Sequence, residues 1–121
     1  MQFKECYQNP FIEERADPYI TLGPDGYYYF TASYPMKSAD DKDGYDRVIL
    51  RRAKDISELA SAEEITIWKV ADITLTHRFI WAPELHYIAG RWYVFYAGSE
   101  DKGNNWAFDC HVLVCDSDDP Y

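Results

Sequence analysis

The acidic side chain best placed for chemistry is Asp17, which stands directly before Pro18 and an apolar run. The chain then turns at the tetrapeptide Gly-Pro-Asp-Gly, residues 23–26. A hairpin gains nothing from a lone carboxylate at its start, whereas a carboxylate at the mouth of a central channel can contact a ligand. Two structural roles for Asp17 stay equally open: a cap on the turn formed with residues 13–16, or an ion pair with Arg15.

Short β-strands must position this acid, because strand-forming residues dominate the chain. Seven runs rich in β-branched and aromatic residues are separated by Gly, Pro, Asp and Asn. One further segment, residues 55–64, is predicted to hold a helical turn, since Ser61 and Glu64 have capping-box spacing. The sequence therefore predicts an all-β chain. Its predicted strands are residues 19–22, 27–33, 47–53, 65–70, 84–88, 91–98 and 110–116.

The chain repeats itself at an offset of 64 residues. GYYYFTA from Gly26 matches GRWYVFYA from Gly90, and Val48 of VILRRAKD matches Val112 of HVLVCDSD. One offset for two separate strands indicates a repeated antiparallel meander of the kind that forms β-propeller blades. The first predicted blade covers about residues 17–70 with four strands. The second covers about residues 80–121 and is incomplete, with three.

A pair of blades in isolation is expected to associate with other molecules. Each blade buries its apolar faces against its neighbours, so an open pair leaves one uncovered face on each blade and unpaired strand edges. The sequence therefore predicts self-association or a place in a larger assembly.

The composition favours a neutral ligand over nucleic acids and membranes. A formal net charge of −9 repels phosphate backbones and anionic lipids. Eleven Tyr, six Phe and four Trp supply flat faces for a core or for the C–H face of a sugar. No segment has the pattern of a leader or of a membrane span. We therefore expect a soluble cytoplasmic protein, or a secreted one if a leader has been removed.

No metal or other cofactor is predicted. The cysteines lack CxxC spacing and the histidines lack metal-ligand spacing. The loop at residues 39–46 departs from the calcium-loop pattern at its first and twelfth positions. We expect reduced, buried thiols and structural imidazoles. The residues concerned are Cys6, Cys110 and Cys115, and His77, His86 and His111.

Several segments together resemble glycoside hydrolase family 43, whose members are five-bladed propeller enzymes that remove arabinofuranosyl or xylosyl groups from plant polysaccharides. The resemblance covers about residues 9–116 and is greatest to the α-L-arabinofuranosidase-like members. It implies an inverting mechanism. The segments are RADPYI, GPDGYYYFTAS, VILRRAKD, ITIW and IWAPELHYIAGRWYVFYAG.

The resemblance implies a role for three residues. Asp17 matches the general base, Trp81 belongs to the Trp-Ala-Pro segment that lines the substrate pocket, and Glu84 takes a pocket-lining or supporting role. Ala82-Pro83 takes the place of Asp17-Pro18 ahead of the corresponding strand, 65 residues further on, which indicates that the fold itself does not require the carboxylate.

The resemblance also implies that the general-acid Glu and a helper Asp come from later blades. The 121-residue chain is therefore expected to lack significant glycosidase activity by itself. The alternative is a noncatalytic propeller fragment that serves as a carbohydrate-binding or assembly module. Trp106, in the loop at residues 99–108, is a candidate sugar platform, although an ordinary loop anchor is an equally good interpretation.

Overall fold

The computed structural model describes residues 2–4, 7–37, 44–70, 78–99 and 107–121. Within these ranges the chain forms two antiparallel sheets, of four and three strands, so the all-β prediction is confirmed. None of the helical structure described there is long and apolar enough to cross a bilayer. The first sheet contains β1 (Ala16–Leu22), β2 (Tyr28–Ser33), β3 (Arg47–Ala53) and β4 (Ile65–Lys69), and the second contains β5 (Arg78–Ile88), β6 (Arg91–Ser99) and β7 (Asp109–Val114).

The first hairpin turns at the predicted tetrapeptide. Gly23 N–H donates to the Tyr27 carbonyl at 2.8 Å, and Gly26 adopts a φ of 75°, a conformation that glycine reaches without a steric penalty. Asp25 stabilises the turn, since its Oδ1 accepts from Tyr27 N–H at 3.1 Å and its Oδ2 from the Tyr29 hydroxyl at 2.6 Å. The loop between β1 and β2 is thus held by its own side chain.

The second hairpin uses a two-residue turn between β5 and β6. Ile88 pairs with Arg91, and the intervening Ala89 and Gly90 have φ values of 49° and 86°. Positive φ at both central residues is the mark of a type I′ turn, which matches the right-handed twist of the strands.

The two sheets pack face to face, with β5 lying against β1 and β2. Alternation along each strand sends every second side chain into this interface. The resulting core is apolar on both sides. It comprises Tyr29, Val48 and Leu50 from the first sheet and Ile80, Leu85, Trp92, Val94 and Tyr96 from the second.

The opposite face of the first sheet is covered by the chain itself. Phe30 and Ile49 are only 2% and 1% exposed there, packed beneath Phe11, Ile12 and Leu59. This cover is partial: it overturns the prediction of an uncovered face over Phe30 and Ile49, whereas Ile20 and Leu22 of β1, on the same face, are 38% and 58% exposed. The second sheet does present apolar side chains outward: Ile88 is 48%, Val112 50% and Val114 45% exposed.

The helical turn predicted within residues 55–64 exists, but its cap is not the predicted one. A 3₁₀ turn covers Ile56–Glu58, and Asp55 and Glu58 form the capping box. Asp55 Oδ1 accepts from Ser57 N–H at 2.8 Å. Glu64 instead binds Arg15 and Arg51, because two half-buried guanidinium groups hold a carboxylate more strongly than one backbone amide does.

Candidate functional site

Asp17 lies on a bulge in β1, an edge strand of the first sheet. Ala16 pairs with Ser33 and Tyr19 pairs with Thr31, so two residues of β1 oppose one residue of β2. Asp17 has a φ of 51°, a left-handed conformation that is rare for a residue with a side chain. Pro18 follows and has no N–H to add to the ladder, which favours the break in pairing. The bulge turns the Asp17 side chain away from the regular alternation and leaves the residue exposed.

The Asp17 carboxylate is held by Ser33. Ser33 is 0% exposed, and its hydroxyl donates to Asp17 Oδ2 at 2.9 Å. Among the described residues, no donor is bonded to Asp17 Oδ1, so this oxygen is open to a ligand. The guanidinium of Arg15 pairs with Glu64 instead, so the suggested ion pair between Arg15 and Asp17 is not formed.

The second sheet reaches the same hydroxyl. Ala82 N–H donates to Ser33 Oγ at 2.8 Å, across the junction between the sheets. Ala82 precedes the buried Pro83, has a φ of 45°, and lies at a register shift between Trp81 and Glu84. The structure therefore brings Asp17 and the Trp-Ala-Pro segment together through one buried serine.

Trp81 stands in an aromatic cluster beside this junction. Its ring stacks on Phe108 at a centroid separation of 4.3 Å and 26° between planes. Tyr45 and Phe79 contact it edge-on at 5.9 and 6.0 Å. Edge-to-face and offset contacts of this kind fix the orientation of a ring. Trp81 is thus a rigid, half-buried wall next to Ala82.

Glu84 is linked back to the first sheet through a histidine. Its Oε2 lies 3.0 Å from His86 Nε2, and His86 Nδ1 lies 3.5 Å from the Tyr19 hydroxyl on β1. Glu84 is exposed and borders a shallow depression of about 390 Å³ that Phe95 and Phe108 also line. A polar chain therefore crosses from Tyr19, two residues after Asp17, to Glu84.

Sequence reasoning missed three of these residues: Ser33, Tyr19 and His86. A signal for Ser33 was present, since Thr31 and Ser33 place hydroxyls on one face of a strand that is otherwise apolar. Buried hydroxyls need partners, and Thr31 finds one in the Ile49 carbonyl at 2.8 Å. No comparable pattern indicates that Tyr19 meets His86, because that contact depends on how the sheets pack.

Metal-binding groups do not cluster within the described ranges. Both cysteines described there are free thiols. Cys110 is exposed, so the prediction of a buried thiol is wrong for it, because it lies on the same outward face of β7 as the exposed Val112 and Val114. Cys115 is half-buried and packs on the core between the sheets. Cys6, His77 and Trp106 lie outside the described residues.

Comparison with known proteins identifies the family of the chain. Residues 7–120 match the model for glycosyl hydrolases family 43. The chain belongs to this family. It is 42% identical over 114 residues to an extracellular exo-α-(1→5)-L-arabinofuranosidase from Streptomyces avermitilis, which covers 94% of the chain and 22% of the relative. It is 47% identical over 91 residues to α-L-arabinofuranosidase 43 from Humicola insolens, covering 75% of the chain and 17% of that relative. The family 43 chain thus spans about a fifth of the length of these relatives.

Solved structures of the family share the fold. An α-L-arabinofuranosidase from Lactobacillus brevis superposes with a TM-score of 0.75 at 40% identity, over 94% of this chain and 34% of the other. The GH43_1 enzyme from Xanthomonas citri, complexed with xylose, gives a TM-score of 0.69 at 23% identity, over 87% and 30% of the two chains. The two antiparallel sheets are therefore β-propeller blades, as the repeat predicts.

Proposed function

We propose that this chain supplies the general base of an inverting glycosidase that removes arabinofuranosyl or xylosyl groups, with arabinofuranosyl groups the first choice. The observation that carries the proposal is the Asp17 carboxylate, exposed beside the blade junction and held through one oxygen only. Relatives at 42% and 47% identity named as arabinofuranosidases favour arabinofuranosyl over xylosyl substrates.

The proposed reaction needs two carboxyl groups on opposite sides of the sugar. Asp17 takes a proton from water, which attacks the anomeric carbon, while a carboxylic acid protonates the leaving oxygen. The two groups must stand about 6.5 to 9.5 Å apart to admit the water. We assign the acid to none of the described residues and propose that the 121 residues alone release no arabinose from oligosaccharides, because a base without its partner acid leaves a poor alkoxide leaving group.

Trp81 and Glu84 are assigned to the sugar-binding wall. Trp81 is already fixed by Phe108, Tyr45 and Phe79, so it can present a preformed apolar surface without losing side-chain freedom. Glu84 is exposed and can accept hydrogen bonds from sugar hydroxyls through the oxygen that does not face His86.

Arabinose release from α-(1→5)-linked arabino-oligosaccharides tests the function. The encoded protein that contains this chain should release arabinose with inverted anomeric configuration, and Asp17→Asn should abolish the release. Asp116→Asn, at an exposed aspartate after β7, is the matched control. Retained release in Asp17→Asn, or release by the 121 residues alone, contradicts the proposal. Sugar binding without hydrolysis in the encoded protein favours the noncatalytic module.

The extracellular location of two relatives supports a secreted protein over a cytoplasmic one. Both arabinofuranosidases from Streptomyces, at 42% and 39% identity, are named extracellular. Detection of the native protein in culture medium, rather than in the cell extract, tests this assignment.

Self-association through the second sheet is the proposed behaviour of the isolated chain. The outward-facing Val112 and Val114 supply apolar surface, while the net charge of −9 opposes contact between copies. Association should therefore strengthen with salt. Sedimentation velocity should show Val112→Asp weakening it, with Leu22→Asp on the first sheet as control; a monomer at every salt concentration contradicts the proposal.

A further inference from the structure

Ser33 occupies an unusual position among the buried residues of the first blade. It has no exposed surface, it pairs with Ala16 immediately before the bulge that carries Asp17, and its two hydrogen bonds reach Asp17 and Ala82. Its oxygen accepts from Ala82 N–H, and its single proton goes to Asp17 Oδ2. A serine hydroxyl carries one proton. Because the Ala82 amide can only donate, Ser33 must accept from it and is left to donate its proton to Asp17.

We propose that Ser33 is a positioning residue that orients the Asp17 carboxylate and makes its orientation depend on the Trp-Ala-Pro segment of the second blade. The proposal rests on the assignment of Asp17 as the general base. Ser33 occupies Oδ2, which leaves Oδ1 as the oxygen that faces the attacking water. A base must lie within hydrogen-bond reach of the proton it removes, so fixing one oxygen sets the position of the other.

The linkage runs through backbone as well as side chains. Ala82 holds a left-handed conformation in front of the buried Pro83, and it is the neighbour of Trp81 in the aromatic cluster. The backbone that anchors the fixed Trp81 ring therefore also places the amide that donates to Ser33. Binding at the aromatic wall and orientation of the base are coupled by two hydrogen bonds.

The competing explanation is that Ser33 only joins the two blades. Thr31 provides the matched control, because it lies two residues away on the same face of β2, is 1% exposed, and donates to the Ile49 carbonyl at 2.8 Å without touching Asp17. Thr31→Val removes a buried hydroxyl of the same kind. A structural role predicts similar effects for Thr31→Val and Ser33→Ala.

The first measurement needs no turnover. In this chain labelled with ¹³C-aspartate, the Asp17 carboxyl resonance is assigned by its absence in Asp17→Asn. Ser33→Ala should shift that resonance, and Thr31→Val should leave it in place. An unshifted resonance in a folded Ser33→Ala overturns the contact on which the proposal depends. If Ser33→Ala does not fold, Ser33→Cys keeps the volume with a much weaker donor and is read in the same way.

The second measurement is kinetic and uses the encoded protein. Ser33→Ala and Ser33→Cys should lower kcat about 10-fold with KM nearly unchanged, the pattern for a contact that acts in the transition state. Thr31→Val should leave kcat in place. Unchanged kcat in Ser33→Ala, with Asp17→Asn inactive, overturns the positioning role alone. Full activity in Asp17→Asn instead overturns the proposed function, and with it the role of Ser33.

Discussion

The two blades make the same bend in their innermost strands but give it different side chains. Asp17 and Ala82 both precede a proline, both lie at a break in strand pairing, and have φ values of 51° and 45°. A left-handed conformation costs roughly 1 to 2 kcal/mol for a residue with a Cβ atom. Both blades keep this strained backbone conformation, so the bend is part of the fold.

The carboxylate is not part of that bend. Ala82 makes the bend with a methyl group, and its amide serves the neighbouring blade by donating to Ser33. Asp17 makes it with an exposed acid that only Ser33 holds among the described residues. The repeat does not need this carboxylate, and it lies where the two blades meet. These two facts are the reason that we propose a catalytic role for Asp17.

Replacing Asp17 by alanine makes the first bend like the second, and gives the largest expected effect. Turnover of arabino-oligosaccharides by the encoded protein should fall about 10³-fold, the usual range for loss of a general base. The free energy of unfolding of this chain should fall by about 1 to 2 kcal/mol, because the buried Ser33 hydroxyl loses the acceptor of its proton. Loss of the fold in urea denaturation would instead make Asp17 a structural residue.

The outer faces of the two blades give the next contrast. Ile49 is 1% exposed beneath Phe11, Ile12 and Leu59, so Ile49→Ala should lower the free energy of unfolding by about 3 kcal/mol. Val112 is 50% exposed on the second blade, so Val112→Ala should lower the free energy of unfolding by less than about 1 kcal/mol. Urea denaturation measures both. Equal costs would mean that a second molecule covers the second blade in solution.

Only the first blade carries a half-buried ion cluster on its outer side within the described residues. Burial raises the pKa of Glu64, but hydrogen bonds from Arg15 and Arg51 outweigh it and hold this pKa below its ordinary value of 4.5. Glu64→Gln should therefore lower the free energy of unfolding by about 2 kcal/mol at neutral pH, because it leaves two guanidinium groups without a counter-charge.

The sign of the pH dependence follows from the lowered pKa. The carboxylate contributes stability above pH 4.5, its ordinary value, and loses that contribution as the pH falls through the lowered folded-state value. The difference in unfolding free energy between the native chain and Glu64→Gln should accordingly shrink in acid. A difference that stays constant from neutral pH to below pH 4 contradicts the assignment.

The two hairpin turns give the smallest expected effect. Asp25 supports the first turn, while Ala89 occupies a left-handed position in the second that asparagine adopts more readily. Ala89→Asn should stabilise the chain by about 0.5 to 1 kcal/mol, seen as a higher urea midpoint. Gly90→Ala, the control at φ 86°, should destabilise it by a similar amount.

The strands and the hairpins could be predicted from the sequence because their causes are local. Alternating apolar residues and the Gly-Pro-Asp-Gly turn depend on neighbours along the chain, and the 64-residue offset repeats that local pattern in a second segment. The same local logic failed at the helical turn, where Glu64 has the spacing of a cap but binds Arg15, 49 residues away. A long-range charge partner cannot be identified from spacing.

By itself, the sequence determined that this is an all-β repeat with a strand-initiating acid that one blade has and the other lacks. Only the tertiary structure decided which groups meet that acid. Ser33 contacts Asp17 because it pairs with Ala16, beside the bulge that redirects the Asp17 side chain. Ala82 reaches Ser33 because the two sheets pack against each other. Such contacts join residues 16 and 49 positions apart, and the packing of whole faces brings them together.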